Sequence, residues 1–186
     1  MNLRFAGLAV FGAYLAHVMG YNFLNDDAYI SFRYALNLAE HGELTYNLGE
    51  RVEGYTNFLW TILMSGVLYL GGDVAVWSRL LGVCFGAATL VAIGYFFHRN
   101  DHGLKSMLIA GGLLAAAPAF ACWSTGGLET MMFTFFLTIG WLTLLSESDD
   151  TKTLRSPIYF AIAAMVRPEG ILAFGLSMLL LGGRWL

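Results

Sequence analysis

The chain has 186 residues, a net charge of −3, 58% hydrophobic side chains and only 12% charged ones. A soluble domain carries about twice that share of charge, so the composition disfavours a single water-soluble core. The long apolar blocks argue for an integral membrane protein. No basic excess is available to hold nucleic acid.

Taken in chain order, apolar runs predict spans at 5–24, 77–97, 105–122, 130–146, 156–166 and 170–183. A crossing helix needs about 20 residues. The last two are short and are separated by Arg167-Pro168-Glu169-Gly170, either as two short helices or as one broken helix. The first run follows Arg4 but lacks a small-x-small cleavage site, so it reads as a retained anchor.

Between the first two spans, 26–41 predicts a short interfacial helix. Ala28, Phe32, Ala35, Leu36 and Ala39 share one face, and Arg33, Asn37 and Glu40 share another. Asn25 or Asp26 can cap its start. Turn residues at Asn47–Gly49 and Gly54 then lead, with short extended pieces, into 58–70. That apolar stretch is short for a crossing.

The bias of basic residues toward the cytoplasm arbitrates on 58–70. If it stays on one side, Arg4, Arg99, Lys105, Lys152, Arg155 and Arg184 fall inside. Arg33, Arg51, Arg79 and Arg167 fall outside, six against four. If it crosses, the count becomes three against seven. The first topology is favoured. It places "DDAYISFRYA", "YNLGERVEGYTN", "STGGLET" and "RPEG" on one external face, with "HRNDHGLK" and "SESDDTKTLR" as cytoplasmic connectors. Polar residues gathered at a membrane face suggest a site.

Each candidate has two readings. Asp26 and Asp27 suit a helix start, but also suit a general base with an orienting partner, or a pair holding a divalent cation. Arg33, Arg51 and Arg167 can snorkel, or can pair phosphate oxygens through a planar, permanently charged fork. Glu129 opens the fourth span, and Glu53 and Glu169 are comparable carboxylates on the same predicted face. Tyr29, Tyr34, Tyr46, Tyr55 and Trp60 read first as an interfacial aromatic belt.

The four histidines have no trusted ligand spacing. Cys84 and Cys122 read as small buried residues with no disulfide framework or CxxC pattern. No Walker, dinucleotide-binding or HExxH motif occurs. Gly111-Gly112 and Gly126-Gly127 read as a close helix contact and a loop bend.

The stretch "DDAYISFRYALNLAEHGELTYNLGERVEGYTNFLW" (26–60) resembles the first external loop of GT-C glycosyltransferases. It is most similar to polyprenyl-phosphate-dependent arabinofuranosyltransferases of the mycobacterial type. "STGGLET" (124–130) and "RPEG" (167–170) look like later landmarks of that group. The resemblance implies an all-α, polytopic membrane bundle with interfacial helices in the loop at 25–57. This chain, 1–186, would be the N-terminal part of a longer enzyme.

The implied activity is an inverting transfer of a sugar from a polyprenyl-phosphate donor to a glycan, lipid or protein acceptor. It takes place on the extracytoplasmic side of a bacterial inner membrane. Asp27 or Asp26 would be the base. Arg33, Arg51, Glu53, Tyr55, Asn57, Glu129, Arg167 and Glu169 would contact substrate. No soluble cofactor is required, and a divalent cation at Asp26 and Asp27 stays open. The rival readings are a transporter and a non-catalytic lipid-phosphate-binding subunit or fragment.

Overall fold

A computed structural model describes residues 3–147 and 155–182. Among the described residues every regular element is helical. These are α1 (Leu3–Met19), α2 (Ala28–His41), α3 (Phe58–Tyr69), α4 (Val74–Arg99), α5 (Gly103–Ala116), α6 (Pro118–Thr125), α7 (Thr130–Ser146), α8 (Ser156–Val166) and α9 (Gly170–Gly182). Lys152, Arg184, the Arg4 side chain and most of the 146–155 connector lie outside the described residues.

The apolar runs become helices with the expected order, and local chemistry moves several ends. α1 stops at Met19, five residues before the apolar run does. The N–H groups of Gly20 and Tyr21 turn back to the carbonyls of His17 and Val18 and close the helix. α4 begins earlier than expected because Asp73 caps it. Its carboxylate accepts from the backbone N–H groups of Ala75 and Val76 at 2.8 and 3.1 Å. The expected span 105–122 is two helices bent by 57°. Pro118 has no N–H to continue the ladder and holds Ala117 extended, so α5 ends and α6 restarts at an angle. α7 and α8 match the expected 130–146 and 156–166.

By length and composition α4 is long and apolar enough to cross a membrane, and α5 with α6 makes a second if the bent pair is one span. α1, α3, α7, α8 and α9 are apolar but shorter. Cys84, expected to be buried, is exposed on α4.

Three apolar clusters hold the bundle. Tyr14, Leu90, Phe120 and Met131 pack at the junction of α1, α4, α6 and α7. Trp60, Met64, Met132 and Val166 join α3, α7 and α8 to the buried face of α2. Leu144 and Phe160 close the α7–α8 hairpin. Glycine lets these helices approach. A Cβ on Gly82 would run into the Ser124 carbonyl, and one on Gly140 would meet the Phe160 ring at 2.8 Å.

The chain direction fixes which ends meet. α3 begins just after Asn57, which lies beside Glu129. α4 begins at Val74, and its Ser78 lies against Gly127. Both helices therefore reach the 126–129 turn within about one turn of their starts. The 12 residues of α3 make about 18 Å of helix, short of a bilayer core.

Candidate active site

The site grows from the start of α2. Asn25 donates its backbone N–H to the Gly126 carbonyl at 3.0 Å, fastening the acidic motif to the "STGGLET" turn. Its own side-chain oxygen accepts from the Asp27 N–H at 2.9 Å, and Asp26 Oδ1 lies 3.1 Å from that same N–H. Asn25 and Asp26, expected to cap α2, instead hold the N–H of Asp27, the residue just before the helix. Asp27 occupies the cap position without using its side chain as a cap. Its carboxylate is exposed and has no partner among the described residues.

One helical turn on, at i+4, Ser31 faces a buried polar knot centred on Asn57. Asn57 donates through Nδ2 to Glu129 Oε2 at 2.7 Å and to Ser31 Oγ at 2.9 Å. Its Oδ1 accepts from Thr61 Oγ1 at 3.0 Å and from Ser31 Oγ at 3.2 Å. Every heavy polar atom of the Asn57 amide is therefore engaged. Trp60, wholly buried, donates Nε1–H to the Gly127 carbonyl at 3.2 Å and pins α3 under the turn. Gly127 has φ +79°, a left-handed conformation that glycine adopts without strain.

Glu129 is 7% exposed. Its other oxygen, Oε1, lies 3.7 Å from Arg167 Nε. Arg167 bridges onward to Glu169 Oε1 at 3.2 Å and stands 5.7 Å over the Phe133 ring. The guanidinium is thus shared between a buried and an exposed carboxylate, and part of it remains open to solvent. Glu169 is held below its ordinary carboxylate value, first by a hydrogen bond from its own backbone N–H and then by Arg167, against some desolvation. A Cβ on Gly170 would strike the backbone of Ala163 and Ala164, so this turn needs glycine to fold back on α8.

Asn57, Glu129 and the Arg167–Glu169 turn, distant in sequence, thus form one chain of contacts reaching α2 at Ser31. The other expected residues lie elsewhere. Arg33 is exposed and donates Nε–H to the Tyr46 carbonyl at 3.1 Å. Arg51, Glu53 and Tyr55 line a separate cleft of about 450 Å³ with Glu43 and Thr45. Burial raises the Tyr55 phenol above its ordinary value, with Glu53 and Tyr34 acting in the same direction.

Asn37, expected on the polar face of α2, is buried instead. Its Nδ2 donates to the carbonyls of Thr45 and Tyr46 at 2.8 and 2.9 Å, tying the loop back onto the helix. Ser31 and Thr61 were not anticipated. Their signal was spacing: Ser31 is i+4 from Asp27, and Thr61 is i+4 from Asn57. Among the described residues no group of three or more His, Cys, Asp or Glu side chains gathers to hold a metal.

Known proteins bear on this arrangement. A terminal β-(1→2)-arabinofuranosyltransferase of Mycobacterium tuberculosis is 27% identical over 176 residues, 84% of this chain and 27% of that protein. The protein of the same name from Corynebacterium glutamicum is 30% identical over 136 residues, 70% of this chain and 19% of its own length. The chain is a distant relative of these arabinofuranosyltransferases. It spans about a quarter or less of the length of each. No protein-family model matches it, and no solved structure does.

Proposed function

We propose that this chain forms the donor-facing part of a membrane glycosyltransferase. It would act by inverting transfer from a polyprenyl-phosphate sugar, on the extracytoplasmic side, to a glycan, lipid or protein acceptor. The carrying observation is the contact chain Asn57–Glu129–Arg167–Glu169, with the partnerless Asp27 carboxylate one helical turn from Ser31.

 The membrane reading is supported by α4, whose apolar stretch is only 22% buried inside the bundle. The core helix of a soluble protein would be mostly enclosed. Large apolar side chains such as Val91, Leu113, Leu145 and Leu172 are likewise exposed, as suits a lipid-facing surface.

In the reaction, Asp27 takes the proton of the acceptor hydroxyl. That oxygen then bonds to the anomeric carbon as the bond from this carbon to the phosphate oxygen breaks. The electron pair leaves with the polyprenyl phosphate, and the proton stays on the carboxylate. An exposed carboxylate without a competing partner can reach a hydroxyl directly. The open side of Arg167 can meet the phosphate as charge builds on it. Glu129 and Glu169 orient that guanidinium, so Arg167 is the phosphate contact and Asn57 a positioning residue. The cleft lined by Arg51, Glu53 and Tyr55 offers an aromatic face and hydrogen-bonding groups for the acceptor. Asp26 and Asp27 supply two carboxylates, which could hold a cation such as magnesium only with waters and the donor phosphate completing its shell. No step above is routed through a metal.

The test is to make Asp27→Asn and, separately, Asp26→Asn in the full-length enzyme and assay sugar transfer. At least one should abolish turnover, and Asp27→Asn is the expected one. Full activity in both would end the base assignment.

A further inference from the structure

We propose that the bundle carries a binding site for an anionic bilayer phospholipid at the end opposite the candidate active site. A groove of about 620 Å³ runs between α4, α7 and α8. Along its length it is lined by apolar side chains such as Phe135 and Ile139. At one end stand Arg99, Arg155, Asn100 and Tyr159. Among the described residues no aspartate or glutamate lines it. Arg99 and Arg155 are exposed, and neither guanidinium has an acidic partner among the described residues.

Glu147, close to Arg155 in sequence, directs its oxygens to the start of α8. It accepts from the backbone N–H groups of Arg155 and Ser156 and from Ser156 Oγ. The groove therefore has an apolar trough for acyl chains and two cations for one phosphate. A basic pocket between membrane helices on the cytoplasmic side suits an anionic headgroup, and two planar forks suit its phosphate.

The position separates this occupant from a reacting donor. Ser78 of α4 lies against Gly127 at the active-site end, and Arg99 closes the same helix. The 21 residue steps from Ser78 to Arg99 make about 32 Å of helix, close to the thickness of a bilayer core. A headgroup on Arg99 thus lies at the end of α4 opposite the Gly127 turn, and Arg155 stands at the end of α8 opposite Arg167. The proposal rests on the membrane-spanning reading of α4 and not on the transfer reaction.

The experiment reconstitutes the 186-residue chain in nanodiscs of phosphatidylcholine, with and without phosphatidylglycerol. Lipids retained on the protein are read by native mass spectrometry after release. Phosphatidylglycerol should be retained in preference to phosphatidylcholine. The preference should fall by about tenfold or more in an Arg99→Gln/Arg155→Gln variant. Lys105→Gln, which removes an exposed cation outside the groove, should leave it intact.

Equal retention of the two lipids, an unchanged preference in the double variant, or an equal loss in Lys105→Gln would each overturn the proposal. If the double variant unfolds in phosphatidylcholine discs, the two single variants carry the same comparison. Failure of the wild-type chain to enter nanodiscs would sink the membrane reading and this site with it. Incorporation without lipid preference would sink this site alone.

Discussion

Asn57 and Glu129 lie 72 residues apart in the chain, and the Asn57 amide donates to the Glu129 carboxylate at 2.7 Å inside a buried pocket. This bond joins the first loop to the start of α7. It also explains how a carboxylate that is 7% exposed is satisfied, since a buried charge needs both a partner and hydrogen bonds.

Asn57→Ala removes that donor and leaves Glu129, Ser31 and Thr61 without their shared partner. Such an unsatisfied buried group costs about 1–3 kcal/mol. Chemical unfolding should show a loss of this size. Transfer by the full-length enzyme should fall with it as Glu129 and Arg167 shift. A variant as stable as the wild type would contradict the proposed role of Asn57.

Asp27→Asn should behave in the opposite way. The carboxylate makes no bond among the described residues, so stability should change by less than about 0.5 kcal/mol. Turnover should drop by about 10²–10⁴-fold if the group is the base. Asn25→Ala is the contrast, because it loses the contact to the Asp27 N–H. It should destabilise the start of α2 by about 1 kcal/mol. Circular dichroism melts and transfer assays on the pair separate the two roles.

Gly82→Ala tests the packing of α4 against α6. The added methyl would meet the Ser124 carbonyl, a backbone atom that cannot swing aside. Overpacking of this kind costs about 1–3 kcal/mol. Gly112→Ala is the control, since nothing lies within 4 Å of its added Cβ. Comparable melting of both variants would remove the case for close contact at Gly82.

Glu169 gives a prediction in pH. Its folded value lies below the ordinary 4.5. The stabilisation it contributes is therefore present above 4.5 and is lost as pH falls through the lowered folded value. A carboxyl NMR titration should find Glu169 below 4.5, with a modest rise in Arg167→Gln. The rise should stay modest because the first cause is the residue's own backbone hydrogen bond. A midpoint at or above 4.5 in the wild type would contradict the geometry of the 167–170 turn.

Much of the local structure was legible in the sequence. The apolar runs at 130–146 and 156–166 became α7 and α8 because backbone groups leaving water must pair locally, and a helix pairs them within the run. The early end of α1 and the bend at Pro118 were legible in principle, from Gly20 and Pro118, but hydropathy alone does not register a turn residue. Asn37 could not be read, because its burial depends on a loop that returns from eight and nine residues away.

The candidate site divides along the same line. By itself the sequence determined which chemical groups are available and that their motifs are separate: two carboxylates before α2, an asparagine before α3, a glutamate before α7 and an arginine after α8. Only the tertiary structure decided that Asn57, Glu129 and Arg167 touch while Arg33 and Arg51 stand apart. Periodicity fixes the face a residue occupies on its own helix. Which faces meet depends on how closely the helices pack, and here Gly82, Gly127 and Gly170 allow the close approaches that bring the motifs together.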